Sequence, residues 1–195
     1  MPTAFESNAS RDDGCVESLR GALLISTAGL VDPNFRRTIV LVGEHNEDGA
    51  LGVVLNRPTP VTVREAVPPL ASLVPEDEPL FVGGPVQPQA AVVIAEFDDP
   101  ERAGLLVMDS IGFIIGDVDP DELMGVRRAR VFAGYSGWGP GQLEAELGES
   151  AWIVEPATGA DVFAADPEAL WNLVVRRRGG EAALLATLPF DPSTN

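Results

Sequence analysis

Residues 130–147, RVFAGYSGWGPGQLEAEL, constrain the fold more than any other segment of the chain. A short apolar run ends in glycines, a proline and a tryptophan, and a helix-forming stretch follows at once. Glycine lacks a Cβ, so the backbone can adopt positive φ or approach other groups closely. The pattern predicts a strand over 131–135, a sharp glycine-rich connection and a helix over 142–147. We expect this connection to lie at the functional surface.

Most other predicted elements are strands, because short apolar runs rich in β-branched residues recur along the chain. Asp48-Gly49 follows the second run and predicts a hairpin, with His45 in its turn. Strands outnumber helices, and helices do not follow every strand, which favours an α+β fold over a doubly wound sheet. The predicted strands cover 21–26, 38–42, 51–55, 80–82, 90–97, 105–108, 113–115, 131–135 and 152–154.

Helices are predicted where capping signals occur. A capping box begins at Thr62, and Asp-Pro-acid sequences at Asp119 and Asp166 mark two further helix starts. The helix that starts at Asp166 is expected to end near Arg178, before two glycines. Residues 181–188 suit either a helix or a strand.

The chain of 195 residues is long enough for one domain with a sizeable core. The first 18 residues are polar and lack periodicity, which predicts a disordered tail over 1–18, a single domain over 19–188 and a C-terminal tail over 189–195. The N-terminus has neither the basic nor the apolar region of a secretory signal, and no apolar run reaches the length of a membrane span. We therefore expect a cytoplasmic protein without a membrane partner.

The charge and the basic residues exclude several classes of function. Thirty acidic and 13 basic side chains give a formal net charge of −17, so we expect no direct nucleic-acid binding. Every basic residue is arginine, and without lysine the chain can form neither a Walker A phosphate loop nor a Schiff base. Cys15 is the only cysteine, which excludes an internal disulfide and a Cys-rich metal site. We expect no cofactor and no metal.

A hydrolase is the alternative that the glycine-rich segment leaves open. Residues 134–138, GYSGW, place Ser136 between a predicted strand and helix, as in the nucleophile elbow of α/β-hydrolases. The pattern departs from that motif at Trp138, where it requires glycine, and the alternating βα order is missing. His45 is the sole histidine and the only imidazole base available to Ser136. A glycine-rich corner with a buried tryptophan explains the same residues without catalysis.

An anion site is the other chemistry considered for this segment, because helix N-termini bind anions. Gln142 stands where a dinucleotide fingerprint requires its last glycine, and Glu144 and Glu146 already complement the helix dipole. The residues favour a self-capped helix.

Three blocks of the chain, at 21–58, 80–86 and 131–154, resemble the bacterial AlgH/YqgE proteins in their order and spacing. They read GALLISTAGLVDPNFRRTIVLVGEHNEDGALGVVLNRP, LFVGGPV and VFAGYSGWGPGQLEAELGESAWIV, and the resemblance extends over about 19–178. It implies a single α+β domain with a bifurcated, strongly bent β-sheet that forms a pseudo-barrel with flanking helices. It implies no established reaction, although some members are labelled as transcriptional regulators.

The three blocks contain glycine, proline, aromatic and amide residues but no complete catalytic set. We therefore expect a cytosolic, non-catalytic binding or regulatory protein that acts through an unknown protein or small-molecule partner rather than through DNA. A homo-oligomer, or a structural subunit with an exposed apolar face, fits the same sequence. The residues predicted to converge on one surface cleft are Arg36, His45, Asn56, Gly83, Gly84, Tyr135, Trp138 and Gln142.

Overall fold

Ten strands form one large sheet in a computed structural model that describes residues 18–27, 30, 32–114 and 125–185. The strands are β1 Ala22–Ser26, β2 Ile39–Asn46, β3 Gly49–Val54, β4 Pro58–Thr62, β5 Pro79–Val82, β6 Val86–Phe97, β7 Leu105–Met108, β8 Ile111–Ile114, β9 Val126–Trp138 and β10 Trp152–Pro156. β1, β8 and the first half of β2 are buried on both faces, which matches their continuous apolar sequences.

The sheet branches at β9. Along the main path the order is β10-β1-β2-β3-β9-β6-β8-β7, and every neighbouring pair is antiparallel. The last residues of β9 pair with β3, whereas its middle pairs in parallel with β5, which in turn pairs with β4. The sheet curls strongly without closing, so the predicted single α+β domain with a bent, bifurcated sheet is confirmed.

Three apolar clusters fill the space around the curled sheet. Alternate residues of one strand enter different clusters: Leu23 and Ile25 of β1 belong to the largest, and Leu24 belongs to a cluster on the other face. Full burial of such a side chain contributes about 1.5–3 kcal/mol, so the covering helices are required on both faces. Trp171 and Leu143 come from helices that cover the first and the other cluster, respectively.

The helices are short and lie outside the sheet. The capping box at Thr62 is confirmed, since its side chain accepts the Glu65 N–H and the Glu65 carboxylate accepts the Thr62 N–H. Asp166 instead accepts the Ala169 N–H in a turn, so its helix begins four residues later than predicted. The helices are α1 Val63–Ala66, α2 Gln142–Gly148, α3 Gly159–Val162, α4 Leu170–Arg178 and α5 Gly180–Leu185, with 3-10 turns at Pro68–Leu73 and Pro100–Arg102.

β2 and β9 both extend past their predicted C-terminal ends. β2 continues past a bulge after Val42 to Asn46, so the hairpin turn is Glu47-Asp48 and the prediction of His45 in a turn was wrong. β9 continues beyond its predicted end to Trp138, because 136–138 pair with β3. In both cases the extra residues pair with another strand. This pairing overrides the local preference of polar residues and glycine for turns.

Some sequence predictions fall outside the described residues. These are the helix start at Asp119, the C-terminal tail over 189–195 and the N-terminal tail except for Ser18. Within the described ranges, no helix combines the length and the apolarity that a membrane span requires.

Candidate ligand-binding cleft

The end of β9, helix α2 and the start of β10 follow one another in the chain and fold onto one apolar cluster. Gly141 precedes α2 with φ of 71°, a conformation that glycine adopts without strain. The Oε1 atom of Gln142 accepts the Gly139 N–H at 3.1 Å and closes the turn before the helix. Leu143 points into the cluster, and Trp138 and Trp152 are 6% and 4% exposed. Trp138 is therefore a core residue whose edge reaches the surface.

The carboxylate of Glu146 lies between the two tryptophans. Its Oε2 atom accepts N–H groups from Trp138 at 2.9 Å and from Trp152 at 2.7 Å. Gln142 lies one turn earlier on the same helix face and donates to Oε1 at 3.0 Å. Buried indole N–H groups require an acceptor, and here one carboxylate serves both.

Phe35 completes this group from a distant part of the chain. Its ring stacks on Trp138 with a centroid distance of 6.2 Å and meets Trp152 edge-on at 5.5 Å. The two indoles are themselves edge-on at 6.1 Å. These distances lie in the range where aromatic pairs attract each other beyond the area that they bury. Phe35, Trp138 and Trp152 therefore form one contiguous aromatic group, which we call the aromatic triad.

A cleft of about 300 Å³ opens beside the aromatic triad and α2. Aromatic and aliphatic side chains form its wall, and three carboxylates, from Asp32, Glu146 and Glu149, face it. Its volume is at the lower end of the range for small-molecule sites. We call it the aromatic cleft; its lining residues are Leu30, Asp32, Phe35, Gly137, Trp138, Gln142, Glu146, Glu149 and Ala151.

His45 contacts the same helix from the neighbouring strand. Its ring is 2% exposed, and Nδ1 accepts the Leu19 N–H at 3.0 Å, so the ring proton is assigned to Nε2. Nε2 then donates to the Glu144 carboxylate at 2.7 Å. A hydrogen bond from the backbone of Glu144 itself, followed by the one from His45, holds the pKa of the Glu144 carboxyl below its ordinary value. This pair fastens α2 and the chain before β1 to strand β2.

The nucleophile and base that a hydrolase requires are not paired. Ser136 is fully buried, and its hydroxyl donates to the Gly83 carbonyl at 3.2 Å. Both ring nitrogens of His45 are already bonded, to Leu19 and to Glu144. In the part of the chain that the structure describes, no three His, Cys, Asp or Glu side chains converge as metal ligands.

Gly83 and Gly84 lie where the backbone of β5 crosses β9. A Cβ on Gly83 would overlap the Gly134 carbonyl, and one on Gly84 would overlap the Tyr135 peptide. The Gly83 carbonyl also accepts the Val54 N–H at 2.9 Å. Tyr135 packs partly buried against the largest cluster. These glycines are required for close approach of two strands, and they hold the branch of the sheet together.

Arg36 lies just before β2, and Asn56, which follows β3, contacts the same part of the chain. The Asn56 amide accepts the Ile39 N–H and donates to the Arg37 carbonyl, each at 2.9 Å, and bridges the segments before and after the hairpin. The Arg36 carbonyl accepts a hydrogen bond from Arg57. Both contacts secure the loop that carries Phe35.

Of the eight residues predicted from the sequence, Trp138 and Gln142 line the aromatic cleft. His45 holds the helix that borders it. The other five make backbone or packing contacts elsewhere, Tyr135 on β9 and the other four in the segments before β2, after β3 and after β5. The prediction did not include Glu146, Phe35 or Trp152. The sequence did contain a signal for Glu146, because it lies four residues after Gln142 on the same helix face and a tryptophan stands on each side of this segment. That the cleft binds a ligand stays a prediction.

Sequence comparison finds close bacterial relatives. The model of the AlgH-like family matches residues 23–183. A UPF0301 protein of Streptomyces coelicolor is 46% identical over 187 residues, which cover 92% of this chain and 97% of that protein. A UPF0301 protein of Thermobifida fusca is 45% identical over 190 residues, which cover 91% and 96%.

Two solved structures are similar to this chain. The crystal structure of a Corynebacterium diphtheriae protein has a TM-score of 0.77 and 29% identity, covering 86% of this chain and 91% of that one. The solution structure of the AlgH protein from Pseudomonas aeruginosa has a TM-score of 0.66 and 28% identity, covering 97% and 98%. The resemblance seen in the three sequence blocks is confirmed. The chain belongs to the AlgH/YqgE family of bacterial proteins.

Proposed function

We propose that this protein is a cytosolic, non-catalytic binding protein with a regulatory role, and that the aromatic cleft is its ligand site. The observation that carries the proposal is a cleft of about 300 Å³ that lies beside the aromatic triad and a carboxylate held by three hydrogen bonds. Preformed concave sites with apolar walls and a few oriented polar groups are typical of ligand binding.

Two features support binding over the alternatives. The serine and histidine proposed for a hydrolase are each committed to other hydrogen bonds, so this histidine does not activate this serine. The net charge of −17 opposes direct contact with DNA, so a role in regulation would proceed through the ligand or a protein partner. Assembly into a homo-oligomer stays a prediction.

Native mass spectrometry of protein gently purified from its own cells tests the proposal. We expect a mass excess that disappears on denaturation. In Ala151→Phe the new ring fills the aromatic cleft, so this variant should lack the excess mass. Ala165→Phe is the matched control, because Ala165 lines a different depression of about 280 Å³.

The presence or absence of excess mass in the wild type and the two variants decides whether the ligand binds in the aromatic cleft. Excess mass in the wild type and in Ala165→Phe, but not in Ala151→Phe, supports the aromatic cleft as the site. Excess mass in all three places the ligand elsewhere and contradicts the assignment. A clean apo mass for the wild type argues against a small-molecule ligand, and cross-linking would then be used to find a protein partner.

A further inference from the structure

Building on the proposed function, we infer that the aromatic cleft binds a small organic cation of the alkylammonium type. Its charge would lie between the Glu146 carboxylate and the rings of Phe35 and Trp138, and its alkyl part would contact Leu30 and Ala151. Three independent features of the cleft lead to this class of ligand: its uncompensated carboxylates, its aromatic wall and its size.

The Glu146 carboxylate is held in place but is not neutralised. Its three side-chain hydrogen bonds come from neutral donors, two indoles and one amide. None of the ion pairs between described residues includes Glu146, Asp32 or Glu149. Oε1 accepts one side-chain hydrogen bond and retains a free lone pair. The cleft thus presents three carboxylates that form no ion pair with another described residue.

The aromatic wall favours the same kind of ligand. Ring faces of tryptophan and phenylalanine attract cations, and the attraction grows where water is excluded. Phe35 and Trp138 both line the cleft, and their mutual stacking fixes their orientation before a ligand arrives. An aromatic wall beside a fixed carboxylate is suited to an ammonium group with a short apolar substituent.

The volume of the cleft and its negative electrostatic field argue against other classes of ligand. A volume of about 300 Å³ accommodates a small molecule rather than a folded protein segment. Anions are repelled by the three carboxylates at the cleft and by the net charge of −17. Neutral apolar molecules would bury against the wall but would leave the carboxylates without a partner.

The test is a titration of the protein with matched cationic and neutral probes. Binding is measured by isothermal titration calorimetry and by the near-UV absorbance of the tryptophans. Choline is compared with 3,3-dimethylbutan-1-ol, in which carbon replaces the charged nitrogen at the same shape. The n-butylammonium ion is compared with 1-butanol, because its N–H groups can also donate to Glu146. We expect at least one cation to bind about tenfold more tightly than its neutral partner, and less tightly as salt is added.

Charge-removing variants locate the binding. Glu146→Gln should weaken cation binding about tenfold and leave the neutral probes unchanged. Glu149→Gln leaves Glu146 in place as the acceptor of both indole N–H groups, so it tests the cleft independently if Glu146→Gln folds poorly. We expect it to weaken cation binding about threefold. Glu101→Gln, at an exposed position outside the cleft, should bind like the wild type.

Equal affinity for cation and neutral isostere, no binding of either cation at millimolar concentration, or no effect of Glu146→Gln and Glu149→Gln would each overturn the inference. The native mass experiment separates this failure from that of the proposed function. A neutral or anionic ligand found in the cleft would leave the binding function intact and remove the cation. A cleft that holds neither a cellular ligand nor a probe cation would remove both.

Discussion

Replacement of Glu146 by alanine is the most informative perturbation of the aromatic cleft. The substitution removes the only side-chain acceptor seen for the N–H groups of Trp138 and Trp152, which are almost fully buried. Each buried N–H left without an acceptor costs about 1–3 kcal/mol. Water from the adjacent cleft can reach part of the vacated space, so we expect a loss of about 3 kcal/mol rather than the upper limit.

This loss is large for a domain of this size. The free energy of unfolding of natural domains is about 5–15 kcal/mol. At this chain length, a decrease of about 1 kcal/mol in that free energy lowers Tm by about 2–4 °C. We therefore expect Glu146→Ala to lower Tm by about 10 °C. Glu146→Gln keeps one oxygen as acceptor for both indoles and loses mainly the bond from Gln142, so its cost should be about 1 kcal/mol.

Urea unfolding followed by far-UV circular dichroism measures both variants without relying on tryptophan emission, which the substitutions alter directly. The expected order of stability is wild type, then Glu146→Gln, then Glu146→Ala. If Glu146→Ala unfolds within about 0.5 kcal/mol of the wild type, as a neutral surface substitution would, the indole bonds do not stabilise the fold and the reasoning is refuted.

Three further predictions concern other parts of the fold. Gly84→Ala should cost more than about 3 kcal/mol because its Cβ would overlap the backbone of β9, whereas Gly148→Ala, with open space around it, should lie within about 1 kcal/mol of the wild type in the same urea assay. Arg130→Met removes a buried guanidinium that donates to two backbone carbonyls and a carboxylate, so a loss of about 3–5 kcal/mol is expected in thermal unfolding; a loss below 1 kcal/mol would contradict it. The lowered pKa of Glu144 adds stability above its unfolded pKa of about 4.3 that disappears as the pH falls through the folded value, so Glu144→Gln should flatten the acid limb of urea midpoints between about pH 3 and 6.

The sequence predicted elements whose signals are local. The capping box at Thr62 and the hairpin signalled by Asp48-Gly49 depend on residues within four positions of each other. Both form, although the hairpin turn is Glu47-Asp48. The ends of β2 and β9 were missed because they depend on pairing with β3. His45 stands among turn-forming residues, yet it lies in a strand because Ala50 pairs with it across the hairpin.

The candidate site was predicted only in part for the same reason. The glycines around Trp138 and Gln142 indicated a functional surface, and both residues line the cleft. Glu146 was read as a charge that complements the helix dipole, because nothing local shows that Trp152 returns to the same carboxylate after α2 ends. Phe35 arrives from a loop about a hundred residues away, and its contact follows from the pairing of β1 with β2 and β10.

The choice of a carboxylate at position 146 is the detail that packing does not explain. An amide oxygen would accept both indole N–H groups, and removal of a neutral amide from water costs less than removal of a charge. Glu146 is only partly exposed and has no cationic partner among the described residues, so the cost of burying its charge offsets part of the stability that its hydrogen bonds contribute. A cation that enters from solvent would offset this cost, and the comparison of Glu146→Gln stability with Glu146→Gln cation binding measures whether the charge serves the fold or the ligand.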